Sequence, residues 1–258
     1  MDATQEAELL TTVGDDYVAT LQINRPPNNF FDVTLIGLIS DALDELGAGD
    51  DCRAVVLTSN GRHFCAGANF AGDDPLARQG RHLYEEAIRM FEQPLPIVAA
   101  VNGAAIGGGL GLALAADFRV AAPESRFASN FALLGFHHGF GLTVTLPAAV
   151  GMQKALDLLY TGRRVGGEEA FEIGLCDRLV PAERVVHDAH AFAAEIAASA
   201  PLAVRSIRET MRGEGLAEKI RAATARERAE QERLQKTEDW QEGLRAVAER
   251  RTANFQGR

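Results

Sequence analysis

Val101-Asn102-Gly103-Ala104-Ala105-Ile106-Gly107-Gly108-Gly109-Leu110-Gly111-Leu112-Ala113-Leu114-Ala115-Ala116-Asp117 is the stretch on which the fold turns. An apolar run from Pro96 to Val101 predicts a buried strand, Asn102-Gly103 a turn, and the glycine triplet the start of an Ala- and Leu-rich helix. Glycines at a helix N-terminus have two readings. They admit a ligand to N–H groups that the helix leaves unpaired and whose dipoles favour negative charge, or they simply allow close helix packing.

A second stretch favours the first reading. Arg53-Ala54-Val55-Val56-Leu57-Thr58 predicts another buried strand, which runs into Gly61-Arg62-His63-Phe64-Cys65-Ala66-Gly67-Ala68-Asn69-Phe70. Two strand-to-glycine turns can supply two backbone donors to one pocket. Together they resemble the crotonase, or enoyl-CoA hydratase/isomerase, superfamily, whose signatures read roughly Phe-x-Ala-Gly-x-Asp and Asn-Gly-x-x-x-Gly-Gly-Gly. The resemblance runs from about Tyr17 to Arg258 and takes in Ile23-Asn24-Arg25-Pro26, Leu133-Leu134-Gly135, Gly139-Phe140-Gly141, Leu159-Tyr160-Thr161-Gly162-Arg163 and the segment from Glu242 to Gly257. Asn69 stands where the signature has Asp; either residue can bond local backbone.

Composition sets the bounds. The chain has 258 residues, 47% of them hydrophobic, enough for one large core. A net charge of -10 disfavours nucleic acid and anionic membrane surfaces as partners. Cys52, Cys65 and Cys176 are widely spaced in apolar surroundings, which suggests neither a disulfide framework nor a zinc site and fits a reducing cytoplasm. No targeting segment or apolar run long enough to span a membrane is apparent.

Along the chain, residues 17–24 alternate like a strand, and Asp32 can cap a helix through about Leu46. Strand 53–58, a helix over about 76–92, strand 96–101 and the helix after the triplet repeat this βα theme. Such repeats predict an α/β fold with a mainly parallel sheet and ligands at the carboxyl ends of its strands. Helices are predicted at about 141–150, 152–161 and 167–173, and a short strand near 175–180. From Pro181 the composition shifts to Ala, Glu and Arg at helical spacing, giving helices over about 181–199, 201–213, 216–234 and 238–250. The division is thus a core of residues 1–180 and a helical region of 181–258. The resemblance implies more: a crotonase-like ββα spiral core, C-terminal helices that pack protomers into homotrimers or hexamers, and an acyl-CoA substrate whose coenzyme A is the only cofactor involved.

It also implies site residues. The N–H groups of Ala68 and Gly108 correspond to the oxyanion hole that stabilises a thioester enolate. Ordinary hydratases supply two glutamates; here those positions read Gly111 and Phe131, so both carboxylates are missing and simple hydration is disfavoured. His137-His138 occupies the place of a more usual apolar residue and proline, and at most one of them is expected to enter the pocket as acid or base, with His138 favoured because it borders the Gly139-x-Gly141 turn; the alternative is capping of the following helix or a hydrogen bond to backbone. Tyr84 can bind a polar acyl group or be an amphipathic core-edge residue, with Glu85 and Glu86 nearby. Asp73 and Asp74 precede Pro75 and read as helix caps, while His63 and His82 read as surface or supporting residues. Phe131, Phe136 and Phe140 suggest an aromatic pocket wall, although core packing explains them as well. Coenzyme A is expected at Cys65, Ala66, Arg25, Arg251 and Phe255, with Arg250 an alternative to Arg251.

Three readings of function stay open. The first is an enolate-stabilising lyase or isomerase acting on an acyl-CoA. The second is a histidine-assisted isomerase, decarboxylase or carbon–carbon hydrolase, and the third a noncatalytic acyl-CoA-binding protein. Ser129 lacks a nucleophilic triad, metal-ligand spacing is absent, and the triplet lacks the Gly-x-Gly-x-x-Gly spacing of a nicotinamide site.

Overall fold

The computed structural model describes residues 7–69, 74–212 and 215–258. The chain order is β1 (Leu9–Val13), β2 (Val18–Ile23), α1 (Val33–Ala48), β3 (Ala54–Ser59), α2 (Pro75–Arg78), α3 (Leu83–Glu92), β4 (Ile97–Val101), β5 (Ala104–Ile106) and α4 (Gly108–Ala115). There follow β6 (Phe118–Ala121), β7 (Arg126–Ala128), α5 (Leu142–Val150), α6 (Met152–Thr161), β8 (Arg164–Gly166), α7 (Gly167–Glu172) and β9 (Arg178–Leu179). The last helices are α8 (Val185–Ala197), α9 (Pro201–Arg212), α10 (Leu216–Leu234) and α11 (Glu238–Ala248).

Among the described residues, one sheet runs β1-β2-β3-β4-β6-β9, parallel except for the β1–β2 pair, and a smaller sheet runs β5-β7-β8. The apolar runs read as buried strands are buried on both faces. Side chains alternate across a strand, so Val55 and Leu57 of β3 and Ile97, Ala99 and Val101 of β4 join the main core, whereas Ala54, Val56, Val98 and Ala100 face a second cluster. That second face is covered by α8, whose Val185, Ala189, Ala193 and Ala197 fall four apart and form one stripe. Each fully buried Val or Leu contributes about 1.5–3 kcal/mol.

Packing thus sets α8 directly against the sheet. The expected helix over 76–92 is two helices. Gly80 turns the chain at φ +85°, and His82 then caps α3 through its ring nitrogen on the Tyr84 N–H, 3.1 Å away. Asp32 caps α1 as expected, accepting from Leu35 N at 2.9 Å. Asp74 caps α2 and accepts from the Thr34 hydroxyl; Asp73 and Phe70 lie outside the described residues.

Candidate functional site

Both glycine turns lie at the carboxyl ends of neighbouring parallel strands and meet in one pocket. In the first, Phe31 takes both bonds of a parallel bridge, donating to Gly67 O at 3.0 Å and accepting from Asn69 N at 2.8 Å. The N–H of Ala68, between those two residues, therefore points away from Phe31. In the second, Gly107 adopts φ +57°, and α4 begins at Gly108, whose N–H has no intrahelical acceptor. Among the described residues, neither the Ala68 nor the Gly108 N–H is paired. A bridge between Cys65 and Ala105 ties the turns together. A Cβ at Gly109 would overlap the Cys65 carbonyl, so this approach requires glycine. Asn29, fully buried, secures the outside by donating to Asn60 O at 2.7 Å and His63 O at 2.6 Å; sequence reasoning did not single it out.

Ala68 and Gly108 line a small pocket of about 60 Å³, walled mainly by Phe31, Phe131, Phe136 and Phe140. Phe31 and Phe140 meet edge to face at 5.4 Å. Tyr84 and Gln231 are its polar side chains. The Tyr84 hydroxyl donates to Gln231 Oε1 at 2.8 Å, and Gln231 Nε2 donates to His137 O at 3.0 Å. Burial pushes the Tyr84 phenol above its usual range, keeping it protonated. Gly139 leaves the room that this hydroxyl occupies; a Cβ there would overlap it.

Three of the residues considered lie away from the lining of this pocket. Gly111 is not on the pocket wall, because Phe140 covers it: a Cβ at 111 would lie 2.5 Å from Phe140 Cβ. His137 and His138 are not on the wall either. Their rings stack on each other at 4.2 Å, and His137 Nδ1 donates to the His138 carbonyl. His138 Nε2 lies 2.9 Å from Thr143 Oγ1, which gives its only proton to Glu227 Oε1 at 2.6 Å. Hence His138 Nε2 carries the proton. Burial, aided by His137, pulls the His138 pKa down to about 4, so the ring is neutral near pH 7.

The organiser of that wall is Glu227 on α10, which the sequence reading missed. Fully buried, it accepts from Gly141 N at 2.9 Å and Thr143 N at 3.0 Å, capping α5 from another helix where Gly141 supplies no side chain. Only contacts more than eighty residues away in sequence reveal this role. Of the other acids considered, Glu85 is exposed and Glu86 is paired with Arg81 at 2.6 Å and Arg89 at 2.8 Å. Ser129 donates to Leu158 O at 2.8 Å, a structural bond.

The residues expected to hold coenzyme A have the following partners. Arg25 is engaged by Glu8 at 2.6 Å and Asp32 at 2.7 Å. Arg251 is engaged by Glu249 at 2.6 Å and by Glu242. Both cations are therefore compensated. Cys65 is fully buried, both its backbone groups are used in the bridge to the Ala105 strand, and burial pushes its thiol up to about 12. The Ala66 N–H donates to Asn28 O. Phe255 lies apart from the small pocket, on a groove beneath the C-terminal tail. Among the described residues no cluster suited to a metal ion occurs, and no helix is long and apolar enough to cross a membrane.

Comparison with known proteins gives this arrangement a context. The enoyl-CoA hydratase/isomerase family model matches residues 14–258. A putative enoyl-CoA hydratase of Thermus thermophilus is 36% identical, over 95% of this chain and 100% of its own length. A putative enoyl-CoA hydratase/isomerase of Bacillus subtilis is 33% identical, over 96% of this chain and 98% of its own. The crystal structure of an enoyl-CoA hydratase/isomerase from Pseudoalteromonas atlantica superposes with a TM-score of 0.88 at 30% identity, covering 97% of this chain and 100% of that one.

Proposed function

This chain belongs to the enoyl-CoA hydratase/isomerase, or crotonase, family, and on that premise we propose that it binds an acyl-CoA thioester with the carbonyl oxygen between the N–H groups of Ala68 and Gly108. The observation that carries this reading is two unpaired backbone donors opening on one apolar pocket. An enolate oxygen formed there gains electrostatic stabilisation without reorganisation, and removal of one such donor typically costs about 100- to 1000-fold in rate.

The chemistry is lyase or isomerase chemistry through the enolate, and not ordinary hydration. Adding water across a 2-enoyl-CoA needs groups to deliver a proton and to activate water. We read Gly111 and Phe131 as the positions of the two hydratase glutamates, and among the described residues no carboxylate lies on the pocket wall. His138 is a weak candidate for the base, because burial lowers its basicity and its ring is turned to Thr143 outside that wall. The lack of a carboxylate on that wall among the described residues equally favours a second reading, a noncatalytic acyl-CoA-binding protein.

Calorimetric titration with coenzyme A and acetyl-CoA, followed by a crotonyl-CoA hydration assay, tests the reading. Binding with hydration at background is expected. Failure of both ligands to bind would refute the acyl-CoA assignment, while fast hydration would refute the missing carboxylates. Exchange of thioester α-protons in deuterated water separates the catalytic from the noncatalytic reading.

We also propose a homotrimer, or a hexamer of two paired trimers, as the working form. Leu202, Ile207 and Met211 of α9 stand 80%, 61% and 79% exposed on a single helix, an apolar surface suited to another protomer. Light scattering on the purified chain reads its mass directly.

A further inference from the structure

The pocket holding Ala68 and Gly108 is the narrower of two adjoining spaces, at about 60 Å³. Beyond it lies a groove of about 400 Å³ beneath the C-terminal tail. The two spaces share one wall residue, Phe136. Their other walls are adjacent in the chain: Phe131 lines the pocket and Ala132 the groove, and α10 gives Gln231 to the first and Leu234 to the second.

The Phe136 ring is held from behind by Trp240, with centroids 4.4 Å apart and both residues buried. The groove itself is prepared for an apolar guest. Arg233 is paired with Glu230 and Arg258 with Glu238, both at 2.8 Å, and Asp239 accepts from the tail amides of Gln256 and Gly257. With those charges compensated, Ala132, Leu234 and Phe255 are its uncommitted apolar surface.

We propose that Phe136 sets acyl-chain length: its ring closes the pocket on a short acyl group, and removing the ring lets a longer chain continue into the groove beneath the tail. This deepens the acyl-CoA reading and rests on it. Burial of one methylene is worth about fourfold in affinity. The native protein should therefore show no gain from acetyl-CoA to octanoyl-CoA, whereas Phe136→Ala should gain at least tenfold for octanoyl-CoA relative to acetyl-CoA.

The experiment is equilibrium binding of acetyl-, butyryl-, hexanoyl- and octanoyl-CoA to the native protein, Phe136→Ala, Phe136→Leu, Leu234→Trp and the double variant Phe136→Ala/Leu234→Trp. Phe136→Leu keeps an apolar contact for Trp240 and serves if the alanine variant folds poorly; it should show a smaller gain of the same sign. Leu234→Trp obstructs the groove only, so it should leave acetyl-CoA affinity alone and abolish the gain in the double variant. A native preference for octanoyl-CoA, an unchanged chain-length profile in both Phe136 variants, or a gain that survives in the double variant overturns the proposal. Failure of every thioester to bind the native protein instead strikes the acyl-CoA reading beneath it.

Discussion

The two walls of one pocket are built in opposite ways. The wall carrying Ala68 and Gly108 is made by short segments next to their own strands, tied by the Cys65–Ala105 and Phe31–Ala68 bridges. The wall from Phe131 to Thr143 has little regular structure of its own and takes its shape from α10, through Glu227 on Gly141 and Thr143 and Gln231 on Tyr84 and His137. Local glycine geometry makes one; a remote helix makes the other. The difference explains why the first wall holds backbone dipoles in fixed positions, while the second is where aromatic size and neutral side chains vary the chemistry.

The comparison breaks most sharply at Gly109. Gly109→Ala drives a Cβ into the Cys65 carbonyl, which neighbouring backbone cannot yield. It should cost about 3 kcal/mol or more in denaturant unfolding and reduce any enolate-dependent turnover about 100-fold. Glu227→Ala attacks the other wall, leaving the Gly141 and Thr143 N–H groups and the Thr143 hydroxyl without their acceptor. A loss of about 2–4 kcal/mol is expected, with the pocket loosened at Phe140 while the Cys65–Ala105 bridge stays protected in amide exchange. Equal loss of protection in both walls would count against their independence.

His138 sharpens the comparison through pH. Its folded pKa of about 4 lies below the ordinary 6.5, so between those values the unfolded chain binds a proton that the folded chain refuses. Stability from this group is complete above pH 6.5 and is lost as the pH falls towards 4. Allowing for its partial exposure, about 2 kcal/mol is at stake. His138→Gln should flatten the slope of unfolding free energy in that window relative to the native protein; an unchanged slope would mean that the ring is solvated. Tyr84→Phe removes one hydrogen bond to Gln231 and should cost about 1 kcal/mol. Arg251→Ala, at an exposed ion pair with Glu242 and Glu249, should cost less than about 0.5 kcal/mol.

The same contrast governs what could be read from the chain. Apolar runs at 53–58 and 96–101, the glycine triplet, and the capping Asp32 express short-range physics, and all appear as β3, β4, α4 and the start of α1. The turns that bring Ala68 and Gly108 to one pocket follow β3 and β5 and carry their glycines in the sequence. The positions of His137 and His138 were not legible, because an irregular turn gives no periodicity from which to infer direction. Their rings are oriented by Thr143, Glu227 and each other. Glu227 itself sits in a charge-rich helical run that reads as a solvated face, and only the packing of α10 against α5 buries it. Residue type alone does not reveal the carboxylates that fold back on Arg25 and Arg251. The helix expected over 76–92 failed at Gly80, where a left-handed backbone turn interrupts an otherwise helical pattern.

The central claim, that Ala68 and Gly108 hydrogen-bond a thioester carbonyl, is tested most directly by difference infrared spectroscopy of acetyl-CoA labelled with carbon-13 at the thioester carbonyl. Two backbone donors in an apolar pocket polarise the C=O bond and weaken it. The bound carbonyl band should move to lower frequency than in free acetyl-CoA, and Gly109→Ala should reverse the shift. A band unmoved on binding, or a shift that survives in the Gly109 variant, would contradict the account.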